Sequence, residues 1–327
     1  ADVDGDGSND VLIGIENLIG TSFGDSLTGG LGVNTIFGGT GNDTIFGSGG
    51  GDTFDGGLDN DMVDYSTGGA TSIVVTLNGG TNTTVVVGGG VNDTIRNIEN
   101  VSGTAGADTI TGDAGVNTIL GQGGDDTIAG GDGNDTLDGG IGNNSLSYAY
   151  ATDRVVLDMS ALVGGYFTAT VNGGTDTDRA TNFANIIGSD YNDIITGDNN
   201  VNTLNGGAGN DTIRGGGGAD VIFGGTGNNS LYGEAGNDII NGYGGNDTLQ
   251  GGDGNDYLYV ATTVDGGLGI TSLSGGSGND VFYMGRYLVS NPNLNMSNVT
   301  ITDFVSGQDK IRFDIAQSLG VAAPNAL

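Results

Sequence analysis

This chain of 327 residues has no cysteine, no histidine and no tryptophan, two prolines, and seven basic residues. Each shortage excludes something. Without cysteine there is no disulfide framework, although that absence does not assign a reducing compartment. Without cysteine and histidine the usual zinc sites cannot form. No imidazole is available as base for a serine nucleophile. Gly20-Thr-Ser22-Phe-Gly24 fits the nucleophile-elbow pattern, and Gly24-Asp-Ser26-Leu27 mimics another esterase signature. Both are chance matches in a text rich in glycine and serine, so no enzyme activity is expected. Seven bases against forty acids give a net charge of −33, which excludes nucleic acid as a partner. No apolar run is long enough to span a membrane, and no N-terminal signal peptide is visible. Aromatics make up 6% of the chain, too few for a large globular core.

Glycine and aspartate are what the chain has. Seventy residues are glycine, and of forty acids only Glu16, Glu99 and Glu234 are glutamates. An acidic face made for solubility would use both acids, whereas short aspartate suits a tight turn closing on a cation. The glycines fall in a nine-residue unit, G-G-x-G-x-D-x-(apolar)-x. Clean copies are Gly38 to Phe46, Gly130 to Asp138, Gly206 to Arg214 and Gly251 to Tyr259. Twenty units begin at Gly20, 29, 38, 47 and 56; at 103, 112, 121, 130 and 139; at 188, 197, 206, 215, 224, 233, 242 and 251; and at 266 and 275. Position one is glycine and position eight is apolar in all twenty, from Leu27 to Phe282. Position eight is independent of the glycines and aspartate that define the frame, so its regularity is separate support for the period. Turn preference explains single Asp-Gly pairs. It does not explain a nine-residue period held in register.

This pattern resembles the calcium-binding nonapeptide of the RTX (hemolysin-type) family. The resemblance implies an all-β fold, a parallel β-roll (β-solenoid) in which two units make one coil and coils stack at the inter-strand spacing. It also implies Ca2+ ions held between coils by backbone carbonyls of positions one to four and the carboxylate of position six. Units n and n+2 then share an ion. The all-aspartate pairs are Asp25/Asp43, Asp43/Asp61, Asp108/Asp126, Asp193/Asp211, Asp220/Asp238 and Asp238/Asp256. Mixed pairs, expected to bind more weakly, are Asn34/Asp52, Asn117/Asp135, Asp126/Asn144, Asn202/Asp220, Asp211/Asn229 and Asn229/Asp247. Asp280 joins no pair in this scheme, and Thr271 is a poor ligand. Asn34, Asn117 and Asn202 each fall in the second unit of a block, which suggests an incomplete coil below. Phe23 and Tyr191 at position four predict distorted turns in first units. An acidic opening, Asp2, Asp4, Asp6 and Asp10, reads either as the start of an EF-hand-like loop or as a degenerate nonapeptide from Gly5. The glutamate expected at the twelfth loop position is Ile13.

A longer period overlies the short one. Ile15-Glu16-Asn17 returns as Ile98-Glu99-Asn100 and, weakly, as Phe183-Ala184-Asn185. The reading is of tandem modules: 1–19 the tail of a preceding module, 20–64 a first block, 65–102 a β-rich bridge, 103–147 a second block, 148–187 a second bridge, 188–283 a third and longer block, and 284–327 a cap with a secretion-signal region. Asn9-Asp10 sits where Asn92-Asp93 sits, which points to a piece of a longer array. Val299 to Phe304 and Gly307 to Phe313 resemble the segment that ends such proteins, which leave the cell by a one-step (type I) route.

Low hydrophobicity with high charge predicts a chain that folds only with metal. Two functions fit. One is a secreted structural protein of the bacterial surface, self-associating into a lattice, filament or adhesin stalk. Asp55, Asp64 and Asp138 are then outer carboxylates free to bridge subunits. The other is the export and folding module of a larger RTX enzyme or toxin. Outward aromatics at position nine (Phe37, Phe46, Phe223, Tyr232, Tyr259, Tyr283) and threonines at position seven suit ordinary strand propensity. They also suit a contact surface for another copy, or for ice or cell-surface polysaccharide.

Overall fold

The computed structural model describes residues 15–261, 271–286 and 299–315. Asp2, Asp4, Asp6 and Asp10 lie outside the described residues. The chain divides into two compact units, Ala1–Gly188 and Ser189–Leu327. Each is a parallel β-roll built from two facing sheets.

The nonapeptide makes the strands. Position seven is often threonine and position eight is always apolar, and with position nine they form short strands such as Thr44–Phe46 and Thr212–Gly217. Position eight points inward: Ile45, Phe54, Val63, Ile213 and Leu231 are fully buried. Burying one such side chain contributes about 1.5–3 kcal/mol. Strands stack on the next unit but one. Ile36 faces Phe54, Ile45 faces Val63 and Ile213 faces Leu231, each eighteen residues on. Successive units therefore alternate between the two sheets, and like positions lie above one another.

Glycine is required where the turns close. Gly39 and Gly41 have φ of 114° and 100°, and Gly207 and Gly209 have 96° and 124°. These values strain any residue with a Cβ. A Cβ on Gly225 would also overlap the carbonyl of Gly207 in the coil below.

The bridges of the first unit do not interrupt the roll. In one sheet, Thr53–Leu58 pairs in parallel with Asp93–Arg96. Asp93–Arg96 pairs antiparallel with Thr83–Val87, which pairs antiparallel with Ile73–Thr76. Ile73–Thr76 returns to parallel pairing with Thr109–Thr111. Meanwhile the facing sheet passes directly from Met62–Asp64 through Asn100–Ser102 to Thr118–Leu120. The second bridge inserts into that facing sheet: Thr136–Asp138 pairs with Asp176–Thr181, which pairs antiparallel with Phe167–Val171, itself antiparallel to Val156–Asp158. The first sheet passes directly from Ser145–Ser147 to Asn185–Ile187. The two meanders thus enter opposite sheets, and the second offsets the extra strands of the first. Their strands alternate buried and exposed side chains, with Ile73, Val75, Val85, Val155, Leu157, Ala169 and Val171 in the core.

In the second unit, Ile194–Thr196, Thr212–Gly217, Ser230–Ala235, Thr248–Asp253, Thr271–Ser277 and Val299–Ile301 form one parallel sheet. Thr203–Asn205, Val221–Phe223, Ile239–Asn241, Tyr257–Ala261, Val281–Arg286 and Lys310–Ile315 form the other. The described part of the tail therefore adds one more strand to each sheet.

Candidate metal centre

Two ladders run along the turns. In the inner one, the backbone N–H of one position-six residue donates to Oδ1 of the position-six residue one coil on. Asp25 donates to Asp43 and Asp43 to Asp61, at 2.7 and 2.8 Å. Asp108 donates to Asp126 and Asp193 to Asp211. Asp220 donates to Asp238 and Asp238 to Asp256. The mixed pairs are joined in the same way: Asn34/Asp52, Asn117/Asp135, Asp126/Asn144, Asn202/Asp220, Asp211/Asn229 and Asn229/Asp247, all between 2.8 and 3.0 Å. A second, exposed ladder joins position-five residues in the opposite sense. Asn210 donates its N–H to Asn192 Oδ1, Asn228 to Asn210, Asn246 to Asn228 and Asn255 to Asn237, at 2.6–2.7 Å. Recurrent asparagine before the aspartate is its sequence signal.

The inner ladder leaves one oxygen over. Oδ2 of Asp43, Asp61, Asp126, Asp135, Asp211, Asp220, Asp238, Asp256 and Asp280 is buried and meets no hydrogen-bond donor. Such an orphaned acceptor is costly. It points at the Cα of position one in its own unit. A Cβ on Gly38 would overlap both Asp43 Oδ2 and the carbonyl oxygen of Gly56 in the next coil. The same overlap recurs at Gly233, with Asp238 Oδ2 and the Gly251 carbonyl. Position-one glycine thus keeps open a cradle lined by hard oxygens, the donor set calcium prefers. Among the described residues no three carboxylates converge on one point. A cation held here rests on backbone carbonyls together with carboxylates of successive coils. Burial raises the carboxyl pKa values: Asp61, Asp126 and Asp247 are pushed up to about 6, Asp211, Asp220 and Asp256 to about 7, and Asp135 to about 8. Without a counter-charge these side chains hold protons far more tightly than an exposed aspartate.

Some expected ligands differ from this pattern. In the first unit of each block the backbone N–H of position two takes the spare oxygen, and the hydroxyl there adds a second bond to the same carboxylate. Thr21 Oγ1 donates to Asp25 Oδ2 at 3.0 Å, and the Thr21 and Thr104 backbone N–H groups reach Oδ2 of Asp25 and Asp108. Ser189 N–H does the same for Asp193, and Ser48 Oγ reaches Asp52 Oδ2. The first units are therefore closed by their own chain, through position two and not through Phe23 or Tyr191 at position four. The asparagines have a reason other than an incomplete coil. Asn34 Nδ2 donates to the Ile15 carbonyl and Asn117 Nδ2 to the Glu99 carbonyl, at 3.2 and 2.7 Å. The coil below is present, and an aspartate could not make that bond. Asp280 is no orphan of the pairing scheme: Asp256 donates to it and it donates to Asp309, across the irregular spacing that hid the relationship. Thr271 is buried. Asp55 is buried too, held by Arg96 at 2.5–2.9 Å and by Asn97, so it is not an outer carboxylate. Asp64 and Asp138 accept from the nearby Ser66 and Gly140 N–H groups.

The structure adds rungs outside the nonapeptide blocks. Asp52 donates to Asp93, Asp61 to Glu99 Oε2, and Asp135 to Asp178, at 2.7, 2.8 and 3.0 Å. For Asp93 the signal was legible, since Asn92-Asp93-Thr94-Ile95 repeats positions five to eight of the unit. For Glu99 and Asp178 no local pattern marks the role.

The RTX calcium-binding nonapeptide repeat family matches residues 12–45, 28–63, 97–128, 112–146, 185–213, 196–231, 214–249, 223–258 and 263–285, more than half of the chain. The fold and ladder define a calcium-binding repeat protein, and the chain belongs to this RTX repeat family. Repeats of this kind are typical of type I secreted proteins. Among the described residues no helix is long and apolar enough to cross a membrane. No curated protein matches the chain. Among solved structures it is similar to the extracellular lipase LipA from Serratia marcescens, at 20% identity and a TM-score of 0.21. That match covers 62% of this chain and 37% of the lipase.

Proposed function

We propose that this is a secreted structural protein of the bacterial cell surface that becomes rigid on binding calcium outside the cell and associates with copies of itself. The reading rests above all on the row of buried, unpartnered Oδ2 atoms from Asp43 to Asp280. A cation between coils converts each orphan into a bond, so binding energy becomes folding energy. The millimolar calcium outside cells then acts as the trigger. A structural role draws further support from the regular outer faces. Thr35 lies beside Thr53 and Thr109 beside Thr127 on neighbouring strands. Tyr259 stacks on Tyr283 at 4.4 Å, with rings within 4° of parallel. Such faces repeat at the strand spacing and suit lateral packing of copies.

Electron microscopy of the purified chain with and without calcium tests this. Sheets or filaments that form with calcium and dissolve on chelation are expected. Dispersed monomers at high protein concentration in calcium would defeat the assembly role, leaving the chain as a folding and export module of a larger protein.

A further inference from the structure

The position-one slot is glycine in every nonapeptide, but one coil above Gly47 and Gly130 it is filled by Tyr65 and Tyr148. Both rings are buried. The Tyr65 ring lies against Gly47 so closely that a Cβ there would overlap its Cδ1 and Cε1. In the neighbouring column the same place holds a carbonyl oxygen, that of Gly56 above Gly38. The tyrosine hydroxyl then crosses to the next rung. Tyr65 Oη donates to Asp93 Oδ2 at 2.8 Å, and Tyr148 Oη to Asp178 Oδ2 at 3.0 Å.

The Asp52/Asp93 rung is therefore complete without a cation. Asp93 Oδ1 accepts the Asp52 N–H, Asp93 Oδ2 accepts the phenol, and Asp52 Oδ2 accepts Ser48 Oγ. Neither residue has an orphaned oxygen, in contrast to Asp43 and Asp61. At the second bridge Asp178 is satisfied in the same way, whereas Asp135 keeps its unpartnered Oδ2.

The distribution of positive charge agrees. Six of the seven basic residues, Arg96, Arg154, Arg179, Arg286, Lys310 and Arg312, fall outside the repeat blocks, and only Arg214 falls inside one. In the first bridge Arg96, three residues past Asp93, pairs with the buried Asp55. Arg96 of the first bridge thus neutralises a buried carboxylate of the adjacent block, whereas inside the blocks Arg214 pairs with the exposed Glu234.

We propose that Tyr65 and Tyr148 are built-in substitutes for the cation. Each closes a rung with a phenol, so the bridge coils belong to the roll but take no calcium at Asp52/Asp93 and at Asp178. At these rungs the bridges are then metal-independent, between metal-dependent blocks.

The inference rests on calcium binding by the repeats, and the test separates the two. Calcium stoichiometry is measured by equilibrium dialysis on the full chain as wild type, Asp93→Asn, Asp238→Asn and Tyr65→Gly, with folding checked by circular dichroism. A wild-type chain that takes up no calcium would overturn the reading of the repeats themselves, and this proposal with it. Given uptake, Asp93→Asn should bind as many ions as wild type, while Asp238→Asn weakens or loses a site. Tyr65→Gly restores glycine to position one and should gain one ion. Loss of an ion in Asp93→Asn overturns the proposal, even if Tyr65→Gly fails to fold. So does a folded Tyr65→Gly chain with unchanged stoichiometry.

Discussion

Asp220 donates its backbone N–H to Oδ1 of Asp238 at 2.8 Å, while Oδ2 of the same carboxylate is buried and has no partner. One oxygen holds the coils together and the other waits for a charge. This division of labour separates two effects that mutation can test. Asp238→Asn keeps an acceptor for the Asp220 N–H but removes the negative charge, so it should weaken calcium binding with little change in the metal-free state. Asp238→Ala also leaves a buried N–H unpaired, which costs about 1–3 kcal/mol more. Calcium titration followed by circular dichroism distinguishes the two.

Asp280 should behave like Asp238. It accepts from Asp256 and donates to Asp309, with Oδ2 unpartnered. Replacing either by alanine should lower calcium uptake to a similar degree. A clearly milder effect at Asp280 would show that the last coil binds differently.

The pH dependence follows from the raised carboxyl pKa values. Burial lifts Asp211, Asp220 and Asp256 to about 7 and Asp135 to about 8, so the folded chain binds protons more tightly than the unfolded one. Stability of the metal-free fold is then greatest below the unfolded aspartate value of about 4, and is lost as pH rises through about 6 to 8. In chelator, the β signal should be stronger at pH 5 than at pH 8.5. Calcium affinity should rise over the same interval, because ligands must deprotonate to bind. A metal-free spectrum that strengthens with pH would contradict this.

Asn117→Asp adds a charge but removes the Nδ2 bond to the Glu99 carbonyl. In chelator it should lower stability by about 1–3 kcal/mol, because a buried acceptor loses its donor and a buried charge is added. Thermal melts with and without calcium check this, and calcium should recover part of the loss.

Two glycines should respond oppositely to alanine. Gly225 has φ of 86° and faces the Gly207 carbonyl, so alanine there must move backbone, at a cost of at least about 1–3 kcal/mol. Gly32 has open space around it and no positive φ, so alanine should be neutral or stabilise by up to about 1 kcal/mol. Denaturation in calcium measures both.

How much was legible in advance follows from what is local. A nine-residue period places position eight in the core and position six beside its counterpart eighteen residues on. The column from Leu27 to Phe282 and the pairs from Asp25/Asp43 to Asp238/Asp256 could therefore be read directly from the chain. Position two is informative as well: a hydroxyl at Thr21 or Ser48 marks a carboxylate already satisfied, and glycine at Gly39 or Gly216 marks one that is not.

The linear order alone determined the repeat and its register, because those depend on spacing within one coil and the next. Only the folded chain decided that the two meanders enter opposite sheets, that Arg96 neutralises Asp55, and that Tyr65 reaches Asp93. These contacts join residues some thirty to forty positions apart outside the period, and depend on where an antiparallel strand returns to the stack. Nothing in the local pattern sets that return; it is chosen by burying Ile73, Val75 and Val85 against the core and by pairing the strand edges that the blocks leave open.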